Sequence, residues 1–170
     1  MSQLPIVAIT MGDPASIGPE ITIKALCGHP EVYDQCRPLV IGDACVMENA
    51  KKFLPEYKDV KIRPVEKVED ARFEQGTIDV YDMKLVDLPS LEIGKVSVMA
   101  GNAAFQYVKK AIEMAMAGEV DGTVTNALNK EAMNLAGHHF SGHTEIYAHF
   151  TGTKKYCMML AHKNMRVTHV

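Results

Sequence analysis

The stretch Ile6-Val7-Ala8-Ile9-Thr10-Met11-Gly12-Asp13-Pro14-Ala15-Ser16-Ile17-Gly18-Pro19-Glu20 decides the class of fold. Residues 6–10 form a continuous apolar run of the kind that makes a strand buried on both faces of a parallel sheet. Two glycines and two prolines then impose a structured turn. Pro19 and Glu20 suit the opening of a helix: the first helical N–H has no intrahelical partner to lose, and a carboxylate meets the positive end of the dipole. Strand, glycine turn and helix in succession point to an α/β architecture. Many proteins hold phosphate on such a turn. Here the spacing matches neither GxGxxG nor GxxxxGK[ST], and Glu20 would repel a docked anion. The turn reads either as a packing loop or as a phosphate cradle, and the local chemistry favours packing.

Outward from it the same alternation continues. Residues 38–41 read as a second buried strand followed by a helix over 44–53, and residues 62–65 and 78–81 as short strands separated by a solvated charged stretch. Residues 87–94 look like a loop. Ala103, Ala104, Tyr107, Val108, Ala111, Ile112 and Ala115 recur at helical spacing, with Lys109, Lys110 and Glu113 opposite them, and Gly118 fits a helix stop. A short strand over 120–125 leads into Asn126-Ala127-Leu128-Asn129-Lys130. Asn129 either caps a helix over 130–135 or, with Lys130, reaches into a site at the strand's C-terminal end. Asp13, Asn129 and Lys130 are therefore candidates for lining such a site. Residues 156–161 are expected as a buried strand and residues 166–170 as the start of another. The sequence stops inside that last run, which leads us to expect a piece of a longer protein.

The 170 residues are 47% hydrophobic and 23% charged, as in soluble globular domains. A net charge of -3 and a pI near 6.1 carry no nucleic-acid footprint. Neither a leader pattern nor a membrane-spanning run is present, and cytoplasmic placement is the expectation. The four cysteines, Cys27, Cys36, Cys45 and Cys157, have no CxxC spacing and read as buried or half-buried thiols in a reducing compartment.

Chemistry concentrates in Phe140-Ser141-Gly142-His143-Thr144-Glu145. One reading makes Thr144 a helix cap with Glu145 in the first turn. The other makes His143 and Thr144 contacts for an anionic or hydroxylated ligand, which Gly142 lets approach closely. Five of the seven histidines (His138, His139, His143, His149 and His162) lie within 25 residues, yet they show no HExxH or comparable ligand spacing. No arrangement for nucleophilic catalysis is evident.

Taken together, residues 10–20, residues 125–130, Gly142 to Glu145 and Met158-Met159-Leu160-Ala161 resemble the PdxA family, the 4-hydroxythreonine-4-phosphate dehydrogenases. The usual family forms are TMGDPAGIGPE and TAPINK, from which this sequence departs at Ser16 and at Asn126-Ala127. The resemblance implies an α/β fold like that of isocitrate and isopropylmalate dehydrogenases, with a parallel-rich sheet, flanking helices and a substrate cleft between two domains. On that basis residues 1–127 would form the first domain and 128–170 the start of a second, truncated one. It further implies a homodimer that oxidises a phosphorylated hydroxy acid with NAD, the keto acid then losing carbon dioxide, with a divalent metal held by three histidines across the dimer. The family's His-Thr pair carries over to His143 and Thr144 as substrate contacts. The first metal histidine would fall just past Val170, making His169 a neighbour and leaving no metal ligand assigned within the chain. The implied substrate is 4-hydroxy-L-threonine 4-phosphate, with D-threonate or D-erythronate 4-phosphate as the alternative. A non-catalytic binding or assembly module is the alternative of another class.

Overall fold

The computed structural model describes residues 4–168. Five parallel strands, β1 (Ile6–Thr10), β2 (Arg37–Gly42), β3 (Lys61–Val65), β4 (Thr77–Asp82) and β5 (Gly122–Thr125), form one sheet in the order β3-β4-β2-β1-β5. Pro38 to Gly42 of β2 are buried without interruption, as an apolar strand covered on both faces must be. The chain steps from β1 to β2 in one direction and returns to β5 on the other side of β1. Right-handed crossovers therefore place α1 (Gly18–Gly28) and α2 (Ala44–Ala50) on one face and α3 (Val98–Ala117) on the other. α1 touches α2, whereas α3 lies on β1, β2 and β5.

α3 starts five residues before Ala103, the first residue of its apolar periodicity, because Ser97 accepts a hydrogen bond from the Ala100 N–H and caps it. Gly118 ends it in the left-handed conformation. One side of α3, with Ala103, Tyr107, Ala111 and Met114, joins the sheet core. The other side, with Phe105, Val108 and Ile112, meets Met133 and Ile146 from α4 (Lys130–Leu135) and α5 (His143–Thr151). Full burial of side chains this size contributes about 1.5–3 kcal/mol each.

Three aspartates at the C-terminal ends of strands hold the connections. Asp43 is fully buried: its Oδ2 accepts the Leu85 and Val86 N–H groups at 2.6 Å each, and its Oδ1 accepts the Tyr107 hydroxyl at 3.0 Å. Burial pushes its carboxyl up, and these donors oppose that shift. Asp82 accepts the Ala44 N–H at 2.9 Å, and Asp13 accepts the Ala15 N–H at 2.8 Å.

Three sequence expectations fail. Residues 156–161 are not a buried strand. Met159–His162 (β6) and Met165–Thr168 (β7) form an antiparallel hairpin whose residues are all exposed, because no second layer among the described residues covers it. Cys45 and Cys157 are exposed thiols, and only Cys27 and Cys36 are half-buried. The cap of α5 is Gly142, with extended backbone, so Thr144 already sits inside the helix and caps nothing. His169 and Val170 lie outside the described residues.

The approach of α4 to α3 depends on one absent side chain. A Cβ at Gly101 would come within 2.1 Å of the Ala132 carbonyl carbon and 2.5 Å of the Met133 nitrogen. Gly101→Ala should therefore cost about 3 kcal/mol in urea unfolding. A loss below about 0.5 kcal/mol would show that the two helices are not in contact at this point.

Candidate functional site

In an open parallel sheet, ligands bind beyond the C-terminal ends of the strands, where the chain reverses its direction of travel across the sheet. Here that point lies between β1 and β5. The glycine loop after β1 is closed by packing. Gly12 has φ +79°, and a Cβ on it would lie 2.6 Å from the Ala127 carbonyl oxygen and 2.8 Å from Asn126 Cβ. The Asp13 N–H donates to that same Ala127 oxygen at 3.0 Å. The Asp13 side chain is 3% exposed, turned back onto its own loop, and pushed up in pKa by burial. The loop is thus the packing loop of the two readings, with Asp13 turned into it.

After β5 the chain enters α4. Asn129 Oδ1 accepts the Ala132 N–H at 3.0 Å, so its side chain is occupied as the helix cap. Gly137, at φ +88°, turns the chain out of α4, and α5 is then held by Ile146 in the second apolar cluster. The Tyr147 hydroxyl fastens α5 to β5 by donating to Thr123 Oγ1 at 2.7 Å.

Between α4 and α5 opens a cleft of about 580 Å³ lined by Lys130, Gly142, His143, Thr144 and Glu145, with Tyr156 among the residues closing it. Of the residues singled out in the sequence, Lys130, His143 and Thr144 are brought together here, and Asp13 and Asn129 are not among its lining. No side chain caps the first turn of α5, which leaves its N–H groups to a ligand. A side chain at Gly142 would begin 3.6 Å from Glu145 Oε2 and 3.9 Å from Lys130 Cε, within the cleft. His143 Nε2 is buried without a hydrogen-bond partner. Such an atom costs stability unless a ligand or water completes it. Burial lowers the imidazole pKa, the Lys130 charge adds to this, and a main-chain interaction with Asn126 acts in the opposite sense. The ring is therefore neutral near pH 7. A cation, open helix N–H groups, a hydroxyl and a neutral imidazole, set against the single carboxylate of Glu145, make a binding surface for a hydroxylated molecule with an anionic group held away from Glu145.

A larger cleft of about 670 Å³ runs along β3, where two of its five cations are paired, Arg63 with Asp79 and Glu74 and Lys51 with Glu48. The histidine-rich segment is largely a packing cluster. His138 stacks on Phe105 with ring centroids 3.7 Å apart, and His149 stands edge-on to Phe140 and Phe150. Among the described residues no three His, Cys, Asp or Glu side chains are placed to hold a metal ion. The packed glycine loop offers no nucleotide phosphate cradle either.

A parallel sheet with a polar cleft beyond its switch point defines an α/β enzyme-like binding domain. The chain belongs to the PdxA family: the family model described as pyridoxal phosphate biosynthetic protein PdxA matches residues 34–170. It is 44% identical over 167 residues to a D-threonate 4-phosphate dehydrogenase of Cupriavidus necator, which covers 98% of this chain and 49% of that protein. A solved 4-hydroxythreonine-4-phosphate dehydrogenase from Burkholderia phymatum superposes with a TM-score of 0.90 at 46% identity, over 98% of this chain and 49% of its own. The Klebsiella pneumoniae 4-hydroxythreonine-4-phosphate dehydrogenase gives 0.83 at 35% identity, over 98% of this chain and 50% of its own. The chain thus spans about half the length of the curated relatives it matches.

His143 should titrate below its ordinary 6.5 in NMR of its ring protons. Because the folded-state pKa is depressed, the stability that the neutral ring contributes is complete above pH 6.5 and is lost as pH falls towards the folded midpoint. Lys130→Met should raise that midpoint. A wild-type midpoint at or above 6.5 would mean that burial does not dominate the ring's environment.

Proposed function

We propose that this chain supplies the substrate-binding wall of an NAD-dependent dehydrogenase acting on a four-carbon 4-phospho-hydroxy acid. The observation that carries this reading is the unpartnered His143 Nε2 beside Lys130 and the uncapped first turn of α5. In this reading Lys130 and the α5 N–H groups hold an anionic group of the substrate. Neutral His143 and the Thr144 hydroxyl hydrogen-bond its oxygens and fix the orientation of the carbon that is oxidised. NAD would supply the oxidising power for that carbon; none of the described residues is assigned to hold it, and the keto acid formed would lose carbon dioxide. The divalent metal implied by the resemblance has no ligand set among the described residues, and no step is assigned to it.

D-threonate 4-phosphate is the favoured substrate, supported by the name of the Cupriavidus relative. The second reading, 4-hydroxy-L-threonine 4-phosphate in pyridoxal phosphate synthesis, is supported by the names of the two solved structures. A homodimer is supported by the hairpin, where Met159, Leu160, Met165 and Val167 are all exposed and would be covered by a second copy. Residues 128–170 are read as the start of a second domain, on the ground that α4 and α5 have an apolar cluster of their own against α3. Four unpaired cysteines fit a reducing, cytoplasmic setting, and no described helix is long and apolar enough to cross a membrane.

The test is NADH formation with each of the two phosphorylated acids, in the longest polypeptide that contains this sequence. Turnover of either supports the reading, and turnover of neither overturns it. In that enzyme His143→Ala should lower kcat/KM by about tenfold to a hundredfold with the fold intact, the loss expected for one or two ligand hydrogen bonds. Unchanged kinetics would remove His143 from the site. The 170-residue chain alone should form no NADH, and robust turnover by it would refute the placing of the remaining machinery elsewhere.

A further inference from the structure

We propose that Asn126 is a positioning residue, whose side chain locks the end of β5 to β1 and α1 and so holds His143 in register with the glycine loop. The geometry is directional. The Thr10 carbonyl can only accept, and it lies 3.0 Å from the Asn126 amide nitrogen, so the NH₂ group must face it. The same nitrogen lies 2.7 Å from Thr22 Oγ1. The Thr22 hydroxyl spends its own proton on the Gly18 carbonyl at 2.9 Å, so it must accept from Asn126. Both amide protons are thus used, one on the strand that ends in the glycine loop and one on the helix that follows it.

The surroundings leave this amide little freedom. Thr22 is 2% exposed. Cβ atoms added at Gly12 and Gly18 would lie 2.8 and 3.5 Å from Asn126 Cβ, so the loop backbone is packed against this residue. The strand that ends at Asn126 is in turn tied to α5, the helix that His143 opens: the Tyr147 hydroxyl donates to Thr123 Oγ1 at 2.7 Å. Residue 126 is therefore where β1, the glycine loop and α1 converge, at the end of the strand that holds α5. A displacement of about 1 Å at such a point is enough to cost about a hundredfold in a reaction that depends on orientation. An asparagine suits the place: it has the two donors that a carbonyl and a hydroxyl require, and an aspartate would set a carboxylate against the Thr10 carbonyl.

The kinetic arm of the test rests on the dehydrogenase reading, and the spectroscopic arm does not. In the 170-residue chain, Asn126→Ala should shift the His143 ring proton and nitrogen resonances and change their titration midpoint, with the His149 signals unmoved. Thr22→Val, which removes only the receiving hydroxyl, should shift them in part, and Thr22→Ser should restore the wild-type spectrum. In the active enzyme, Asn126→Ala should lower kcat by about tenfold to a hundredfold, with a smaller change in KM. His143 resonances unchanged in a folded Asn126→Ala chain would overturn the proposal. If that variant does not fold, the Thr22 pair decides, and identical His143 spectra for Thr22→Val and Thr22→Ser overturn it equally. An enzyme whose wild type forms no NADH with either acid sinks the dehydrogenase reading alone, and the resonances still decide the role of Asn126.

Discussion

The placement of α3 between two apolar layers is the constraint on which the rest of the structure depends. A helix covered on one side can drift by a fraction of a turn, but one wedged between a sheet and two further helices cannot. Its small residues make this possible. Ala103 and Ala111 let it lie close on the sheet, and Gly101 lets the main chain of α4 approach on the other side. Tyr107 then ties it to Asp43 at the end of β2. With α3 packed on both sides, Lys130 at the head of α4 and His143 at the head of α5 are carried to one cleft beyond the strand ends.

Polar groups near the strand ends divide into two kinds. Asp13, Asp43, Asp82, Asn129 and Thr22 each spend their hydrogen-bonding capacity on the protein's own backbone or side chains, which is what buried polar groups must do to avoid a desolvation penalty. His143 Nε2 and the first turn of α5 do not, and neither does Thr10 Oγ1, which is buried without a partner at the end of β1. Of these, only His143 and the first turn of α5 line the cleft. The strand-end carboxylates of Asp13, Asp43 and Asp82 are turned onto the backbone, which leaves Glu145 of α5 as the one carboxylate lining the cleft.

Most of the fold was legible because local rules and global packing agree. The buried runs of β1 and β2, the periodicity of α3 and its Gly118 stop each state one structure in the residues themselves. The hairpin of β6 and β7 was misread because an apolar run reports β-propensity and hydrophobicity and says nothing about whether a second layer covers it. The histidine-rich segment was equally ambiguous. Imidazole stacks on aromatic rings as readily as it binds metals, and only the ring geometry of His138 and His149 distinguishes the two uses. Asn126 carried a faint signal, a polar residue immediately after a strand beside a glycine loop, but its partners Thr10 and Thr22 lie more than a hundred residues away in sequence.

By itself the sequence determined the α/β class, the order of strands and helices, and the location of the polar segment Gly142 to Glu145, because these follow from apolar periodicity and from the backbone demands of glycine and proline. The tertiary structure decided which of its residues act together. It set Asn129 to capping and Asp13 to bracing the glycine loop, brought Lys130 and His143 into one cleft, and left His143 Nε2 without a partner. Those outcomes depend on distances between segments remote in the chain, and a distance of that kind is settled only when the layers pack.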